Sequence, residues 1–314
     1  MNSLLTTISF YIIINFKLSN LKFIIIYIVL FVVFVIAEEN MLKLMFITNS
    51  PQIALVAQNA GTDRIFIDME YIGKEERQKG MNTVKNHHTV SDVKSVRKVL
   101  DKSQLLVRIN PIHEKSEQEI NSVIDAGADI IMLPMWKSAL DVEEFADIVG
   151  TRAKKMLLLE TKEACNCLED VLKLECADEI HIGLNDLRIS TGKKFIFEPV
   201  ADGTVENILN IVKPYGVPCG FGGFGMPGEG LLPADLIIAE HYRLGSSMAI
   251  LSRSFCDLNV FKTEKEIKSR FESGVRKIRD YENFLRLQNA EYFVSKHNET
   301  KARVSEIISG DSFV

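Results

Sequence analysis

Residues 155–187 read K-M-L-L-L-E-T-K-E-A-C-N-C-L-E-D-V-L-K-L-E-C-A-D-E-I-H-I-G-L-N-D-L. Two apolar runs in this stretch each stop on a carboxylate: residues 156–159 at Glu160, and residues 180–185 at Asp186. Short apolar runs bounded by polar residues and separated by a helix-length segment read as buried parallel strands of β-α units. Each carboxylate then falls where a strand gives way to its loop, the edge at which barrels and open α/β sheets bind ligands. Two carboxylates on neighbouring strand ends can share a hard divalent cation such as Mg²⁺. The plainer reading is that they cap helices or face water just past a strand.

Working outward, strand and helix alternate from Met41 onward. Strands are expected over 42–47, 65–67, 105–107 and 130–133 on the N-terminal side, and over 218–221 and 248–251 on the C-terminal side. Pro51 opens the first helix and Gly61 closes it. Thr89, with Asp92 three residues on, starts another, and further helices are expected near 116–126 and 204–212. Eight strands separated by helix-length sequence predict an α/β fold of the (β/α)8 TIM barrel type over 41–256. The competitor is an open doubly wound sheet, but no G-x-G-x-x-G follows the first strand. From 257 to 314, Ile267, Phe271, Val275, Ile278, Tyr281 and Phe284 recur at helical spacing and predict a C-terminal helical extension that packs on the barrel or on a partner subunit.

A chain of 314 residues suits one barrel, which needs about 250. Its formal net charge of −5 offers no basic footprint, so nucleic acid is not an expected partner. The five cysteines form no paired zinc pattern and read as reduced thiols. Residues 1–40 stand apart as an apolar N-terminal segment with no acidic residue before Glu38. They read as a membrane anchor or hairpin, as a signal-like segment, or as upstream sequence preceding a true start at Met41, the reading preferred here. The expected location is a cytoplasmic catalytic domain, with membrane contact through 1–40 if those residues are present in the cell.

The strand ends collect Asp68, Glu70, Arg108, Glu160, Asp186, the Gly222-Gly223 pair and Arg253. Apolar strands otherwise offer few ionisable groups, so this density along one edge marks a site. The glycine-rich run over 220–235 falls on the same edge and could hold a phosphate or carboxylate by its backbone N–H groups, or form a flexible loop. Within this frame, L-V-R-I-N-P over 106–111, A-G-A-D-I-I-M-L-P-M over 126–135, L-L-L-E-T-K-E-A over 157–164 and I-H-I-G-L-N-D-L over 180–187, together with Asp68-Met69-Glu70, resemble the HpcH/HpaI aldolase and citrate lyase beta-subunit family. The resemblance covers roughly residues 42–255.

The resemblance implies a TIM barrel that binds Mg²⁺, Mn²⁺ or another divalent metal through Glu160 and Asp186. It also implies a pyruvate-like 2-oxo acid whose carboxylate meets the backbone of Gly183, Asn185 and Asp186, with Arg108 beside the enolate oxygen and Gly222 on the rim. Partners would be a small 2-oxo acid and an aldehyde, and the assembly a homo-oligomer. The activity expected is a class II aldolase acting on a 4-hydroxy-2-oxo acid; a citrate-lyase-like enzyme acting on an acyl thioester, or a non-catalytic metal- and anion-binding barrel, are the alternatives. In the aldolase branch a histidine follows the second-strand glutamate, whereas this chain has Tyr71, and Leu158 stands where a polar residue is common. The catalytic candidates are Arg108, Glu70, Asp68, Tyr71 and His88; the proton would be handled by Tyr71 if the metal lowers its pKa, by His87 or His88, or by a metal-bound water, with a solvated loop or helix-start role as the plainer reading for the two histidines.

Overall fold

In the computed structural model, which describes residues 41–74, 88–257, 260 and 263–310, nine parallel strands share one sheet: β1 (Lys43–Ile47), β2 (Arg64–Asp68), β3 (Gln104–Arg108), β4 (Ile130–Leu133), β5 (Lys154–Leu159), β6 (Glu179–Ile182), β7 (Cys219–Phe221), β8 (Gly223–Phe224) and β9 (Met248–Leu251). β7 and β8 are one run interrupted at Gly222, so the ring has the eight places that the sequence predicts. Gly222 closes that ring. Its N–H donates to the Ile182 carbonyl of β6 at 2.8 Å, and its own carbonyl accepts from the Ile250 N–H of β9 at 3.1 Å. Its φ of +43° lies in the left-handed region that favours glycine, and a Cβ there would stand 2.4 Å from Leu184 Cδ1.

The helices that alternate with the strands are α1 (Pro51–Asn59), α2 (Val90–Arg97), α3 (Ser116–Asp125), α4 (Ala139–Val149), α5 (Lys162–Asn166), α6 (Leu168–Leu172), α7 (Leu184–Ser190), α8 (Glu198–Ala201), α9 (Thr204–Val212), α10 (Ala234–Leu244), α11 (Glu264–Leu285) and α12 (Ala290–Ser309). Local chemistry sets their starts. Ser50 caps α1 ahead of Pro51, and Thr89 and Asp92 form the reciprocal capping box of α2. α11 follows β9 and packs against α1 and α10. Phe271 meets Phe46 edge to face at 4.8 Å, and the buried Glu282 carboxylate accepts from Leu42 N–H at 2.8 Å and Tyr242 Oη at 3.1 Å. The ring's last helix thus comes from the segment that sequence sets apart as an extension, and α12 lies outside it against α10. The apolar segment 1–40, His87 and Phe261 lie outside the described residues. Among the described residues no helix is long and apolar enough to cross a membrane.

Strand alternation sorts side chains between the helices and the barrel interior. At the end where the strands begin, Arg64 donates Nη1 and Nη2 to the two oxygens of Glu179 at 2.6 and 2.7 Å, and Nε to Gln104 Oε1 at 3.2 Å. The middle is filled by Met45, Met132, Met156 and Met248 with Phe66, Leu106, Ile130 and Leu158. Methionine's unbranched thioether fits irregular interior space. Above that plug the barrel opens.

Candidate active site

The carboxyl ends of the strands surround a cavity of about 430 Å³. Its charged walls are Asp68, Lys74, Arg108, Glu160, Asp186 and Arg253, and its floor includes Phe66, Met132, Leu158 and His181. β2 delivers Asp68 by period-two alternation: Arg64, Phe66 and Asp68 point inward, while Ile65 and Ile67 join the core beneath the helices.

Asp68 is buried and fully engaged. Arg108 Nε donates to Oδ1 at 2.9 Å and Lys74 Nζ to Oδ2 at 2.7 Å. Burial works against its ionised form, but Arg108 and Lys74 outweigh it and hold the carboxyl well below the usual range. Glu70 lies beside the same two cations, with Arg108 Nη1 at 3.3 Å and Lys74 Nζ at 3.6 Å from Oε2. Burial also opposes the charge of Arg108; Asp68 and Glu70 more than compensate and fix it as a permanent cation. Its guanidinium lies over the Phe66 ring, 5.6 Å from the centroid.

Glu160 directly follows β5 and is buried. Met135 N–H donates to its Oε1 at 3.1 Å. Gly183 makes room for the other oxygen: a Cβ there would lie 2.7 Å from Glu160 Oε2. Burial, then the nearby charges of Glu70 and Asp186, push the Glu160 carboxyl well above its ordinary value, against the opposing pull of Arg108. Glu160 and Asp186 therefore face one space closely enough to repel, which is the electrostatic condition a bound cation relieves. Among the described residues no group of three His, Cys, Asp or Glu side chains could hold a metal ion. Two carboxylates still fit Mg²⁺, which keeps several waters and takes only one or two protein carboxylates.

One expectation about this pair needs correction. Asp186 does not end a strand; β6 stops at Ile182, and Asp186 occupies the first turn of α7 behind the N-cap Gly183. The apolar run hides a change of period. Ile180 and Ile182 alternate as a strand does, whereas the buried Leu184 and Leu187 are spaced as on a helix. Asn185 also lines the cavity, and its Oδ1 accepts from Arg188 Nη2 at 3.2 Å.

The proton-handling candidates fare unevenly. Tyr71 is 62% exposed and is not part of the cavity wall. Asn110 explains this: its Oδ1 accepts from the N–H groups of both Tyr71 and Ile72 at 3.0 Å, fixing the backbone so that the phenol turns outward. His88 Nδ1 accepts from the Asp68 N–H at 3.0 Å, and burial lowers its pKa; it supports the end of β2 rather than lining the cavity. His87 lies outside the described residues.

Sequence reading missed two wall residues. Lys74 sits in what reads as a polar loop, and its one signal was the four-residue spacing from Glu70. His181 lies mid-strand; its signal was the alternation Glu179, His181, Gly183. Its Nε2 bonds the Gly222 carbonyl at 3.0 Å, and burial lowers its pKa to about 4, so it is a neutral strut under the closure point.

Residues 43–197 match the family model described as HpcH/HpaI aldolase/citrate lyase. Among solved structures, the chain is similar to RipC from Yersinia pestis (13% identity, 77% of this chain and 96% of that one, TM-score 0.53). It is similar to an HpcH/HpaI aldolase/citrate lyase family protein from Burkholderia cenocepacia (15% identity, 76% and 95%, TM-score 0.54). It is also similar to an HpcH/HpaI aldolase from Desulfitobacterium hafniense (16% identity, 76% and 93%, TM-score 0.52). At these identities the likeness is one of fold. No curated protein matches the chain.

Proposed function

Because residues 43–197 belong to the HpcH/HpaI aldolase/citrate lyase family, a family of lyases, we propose that this chain is a divalent-metal-dependent carbon–carbon lyase of the class II aldolase type. It forms or cleaves a 4-hydroxy-2-oxo acid by way of a pyruvate enolate and an aldehyde. The observation that carries this reading is the shared cavity: Glu160 and Asp186 face it from adjacent places in the ring, and Asp186 raises the cost of charge on Glu160, with Arg108 beside them. Glu160 and Asp186 would hold Mg²⁺ or Mn²⁺. The ion, when bound, supplies Lewis-acid stabilisation of the charge that develops on the enolate oxygen.

Arg108, locked by Asp68, aims a fixed cation and directed donors at that same oxygen. The bare backbone at Gly183 lets the substrate carboxylate approach residues 183–186. With Tyr71 turned to solvent, the proton carrier this reading uses is Lys74, on the cavity wall between Asp68 and Glu70: its ammonium gives a proton to the enolate carbon, and the amine so formed takes one back from the methyl group of pyruvate or from solvent. The exposure of Tyr71 is also what favours the second reading, a barrel that keeps the cation and anion site without turnover.

Proton NMR of pyruvate in deuterated buffer with the full chain and Mg²⁺ separates the two. Metal-dependent loss of the methyl signal is expected, as is slower loss in Lys74→Gln. Metal binding with neither exchange nor turnover across an aldehyde panel would leave the non-catalytic barrel, and turnover confined to acyl thioesters would move the reading to a citrate-lyase-like enzyme.

A further inference from the structure

A third basic side chain faces the cavity besides Lys74 and Arg108. Arg253, just past β9, lines the wall and is exposed. Arg108 and Lys74 are taken up by Asp68 and Glu70, but the Arg253 side chain forms no hydrogen bond or ion pair among the described residues; only its backbone carbonyl is engaged, by Cys256 N–H at 2.9 Å. A guanidinium with all its donors free on a cavity wall is a ready receptor for an anion, through charge and through its two-pronged geometry.

The surroundings narrow the anion. Gly222, Gly223 and Ser252 line the same corner. The Oγ atoms of Ser252 and Ser254 lie 2.9 Å apart, facing Gly225. Barrel closure demands glycine at 222 and 223, where a Cβ would come within 2.4 Å of Leu184 Cδ1 and 2.2 Å of the Ile250 carbonyl oxygen. Gly225 has no such need: its φ is not positive, and a Cβ would meet only Ser254 Oγ at 3.4 Å and Ser252 Oγ at 3.6 Å. Ser254 Oγ accepts from Met226 N–H at 3.1 Å and Ser252 Oγ from Ser254 N–H at 3.3 Å, so one O–H is used within the pair and the other is left to donate, with Ser252 the member that lines the cavity. In parallel (β/α)8 barrels the loops after the seventh and eighth strands are a recurrent phosphate site. In this ring those two loops begin at Gly225, past β8, and at Ser252, past β9.

We propose that this corner binds the phosphate of a phosphomonoester, and, resting on the lyase reading above, that the aldehyde substrate carries that phosphate. Three anionic oxygens match a guanidinium fork together with the serine hydroxyl left to donate, whereas a carboxylate offers two. The carbonyl end of the same molecule then extends along the cavity towards Glu160 and Asp186.

The test has a binding arm and a kinetic arm. Calorimetric titration of the metal-free full chain with glycerol 3-phosphate, inorganic phosphate, succinate and glycerol needs no turnover. Glycerol 3-phosphate should bind, glycerol should not, and Arg253→Gln should weaken the ester at least about tenfold, with Arg253→Lys in between. In the kinetic arm, with Mg²⁺ and pyruvate, the ratio of kcat/KM for glyceraldehyde 3-phosphate over glyceraldehyde should be at least about tenfold in the native chain and near one in Arg253→Gln. Equal binding of the ester by native and Arg253→Gln chains, succinate binding as tightly as the ester, or binding of free phosphate but not of the ester would overturn the proposal. Arg253-dependent ester binding without pyruvate exchange would keep the corner and sink the lyase reading; exchange without phosphate preference would do the reverse.

Discussion

The two mouths of this barrel are built from the same strands yet handle charge differently. Where the strands begin, β2 and β6 bring Arg64 and Glu179 together in a buried, two-pronged ion pair, with Gln104 taking the remaining Nε donor. Where they end, β2 brings Asp68 to Arg108 and Lys74, but the Glu160 carboxyl just past β5 is pushed up by burial, Glu70 and Asp186. A charge that serves the fold is matched inside the chain. At the open mouth, by contrast, the Glu160 carboxyl is left in tension, and the proposed function assigns that tension to a ligand. Matched and unmatched charge are thereby separated along the barrel's own axis.

The largest effect should come from removing the tension at the open mouth. Glu160→Ala or Asp186→Ala should abolish calorimetric Mg²⁺ binding and lower lyase activity by roughly a thousandfold or more. The melting temperature of the metal-free protein should hold or rise, because a repulsive pair is gone. Retention of Mg²⁺ binding in Asp186→Ala would break the contrast between the two mouths.

The closed mouth should respond in the opposite way. Arg64→Met leaves the buried Glu179 with only the longer contacts of Lys43 at 3.6 Å and Lys154 at 4.0 Å, and breaking such a buried pair costs up to about 3–5 kcal/mol. Urea unfolding reads that loss directly. The double change Arg64→Met with Glu179→Leu should recover most of it, since the penalty comes from the stranded charge. Mg²⁺ affinity of the folded single variant should match that of the native chain.

How much of this was legible without coordinates follows the same axis. The ring was readable because buried parallel strands are short and apolar and helix starts carry their own chemistry, as at Ser50-Pro51 and Thr89/Asp92. Asp68, Arg108 and Glu160 were readable because a strand end is a fixed place on the cavity wall. Asp186 was found but misassigned to a strand, since strand and helix periods meet within one apolar run. The outward turn of Tyr71 and the place of Lys74 on the wall were not legible: past the strand end, side-chain direction depends on a distant group, the Asn110 carboxamide, and no local pattern reports it. The Arg64–Glu179 pair joins residues 115 apart in sequence, and nothing near either one names the other.

Between the mouths, on β6, His181 gives a smaller effect. Burial lowers its pKa to about 4 from an ordinary 6.5. The unfolded chain therefore binds a proton that the folded chain refuses, so the stability this group contributes is present above pH 6.5 and is lost as pH falls from 6.5 through about 4. His241, also buried and held neutral, adds in the same direction. His181→Asn should remove up to one proton's share of that slope, about 1.4 kcal/mol per pH unit, measured by urea unfolding at pH 7 and pH 5. An unchanged slope would mean that the imidazole is not sealed beneath the closure point.

The smallest expected effect is the most discriminating. By resemblance, Tyr71 stands where the aldolase branch has a histidine, so sequence places it among the catalytic candidates, and Tyr71→Phe would be damaging if the phenol handled the proton. The folded chain says otherwise: Asn110 holds the backbone of Tyr71 and Ile72, and the ring is exposed and off the cavity wall. A surface hydroxyl with no part in the chemistry changes rates by less than about twofold when removed. Tyr71→Phe should therefore leave pyruvate exchange and aldehyde turnover within that range. A large loss in Tyr71→Phe would mean that residues 71–74 swing inward when substrate binds, and the open mouth would then be a state the barrel closes rather than its resting form.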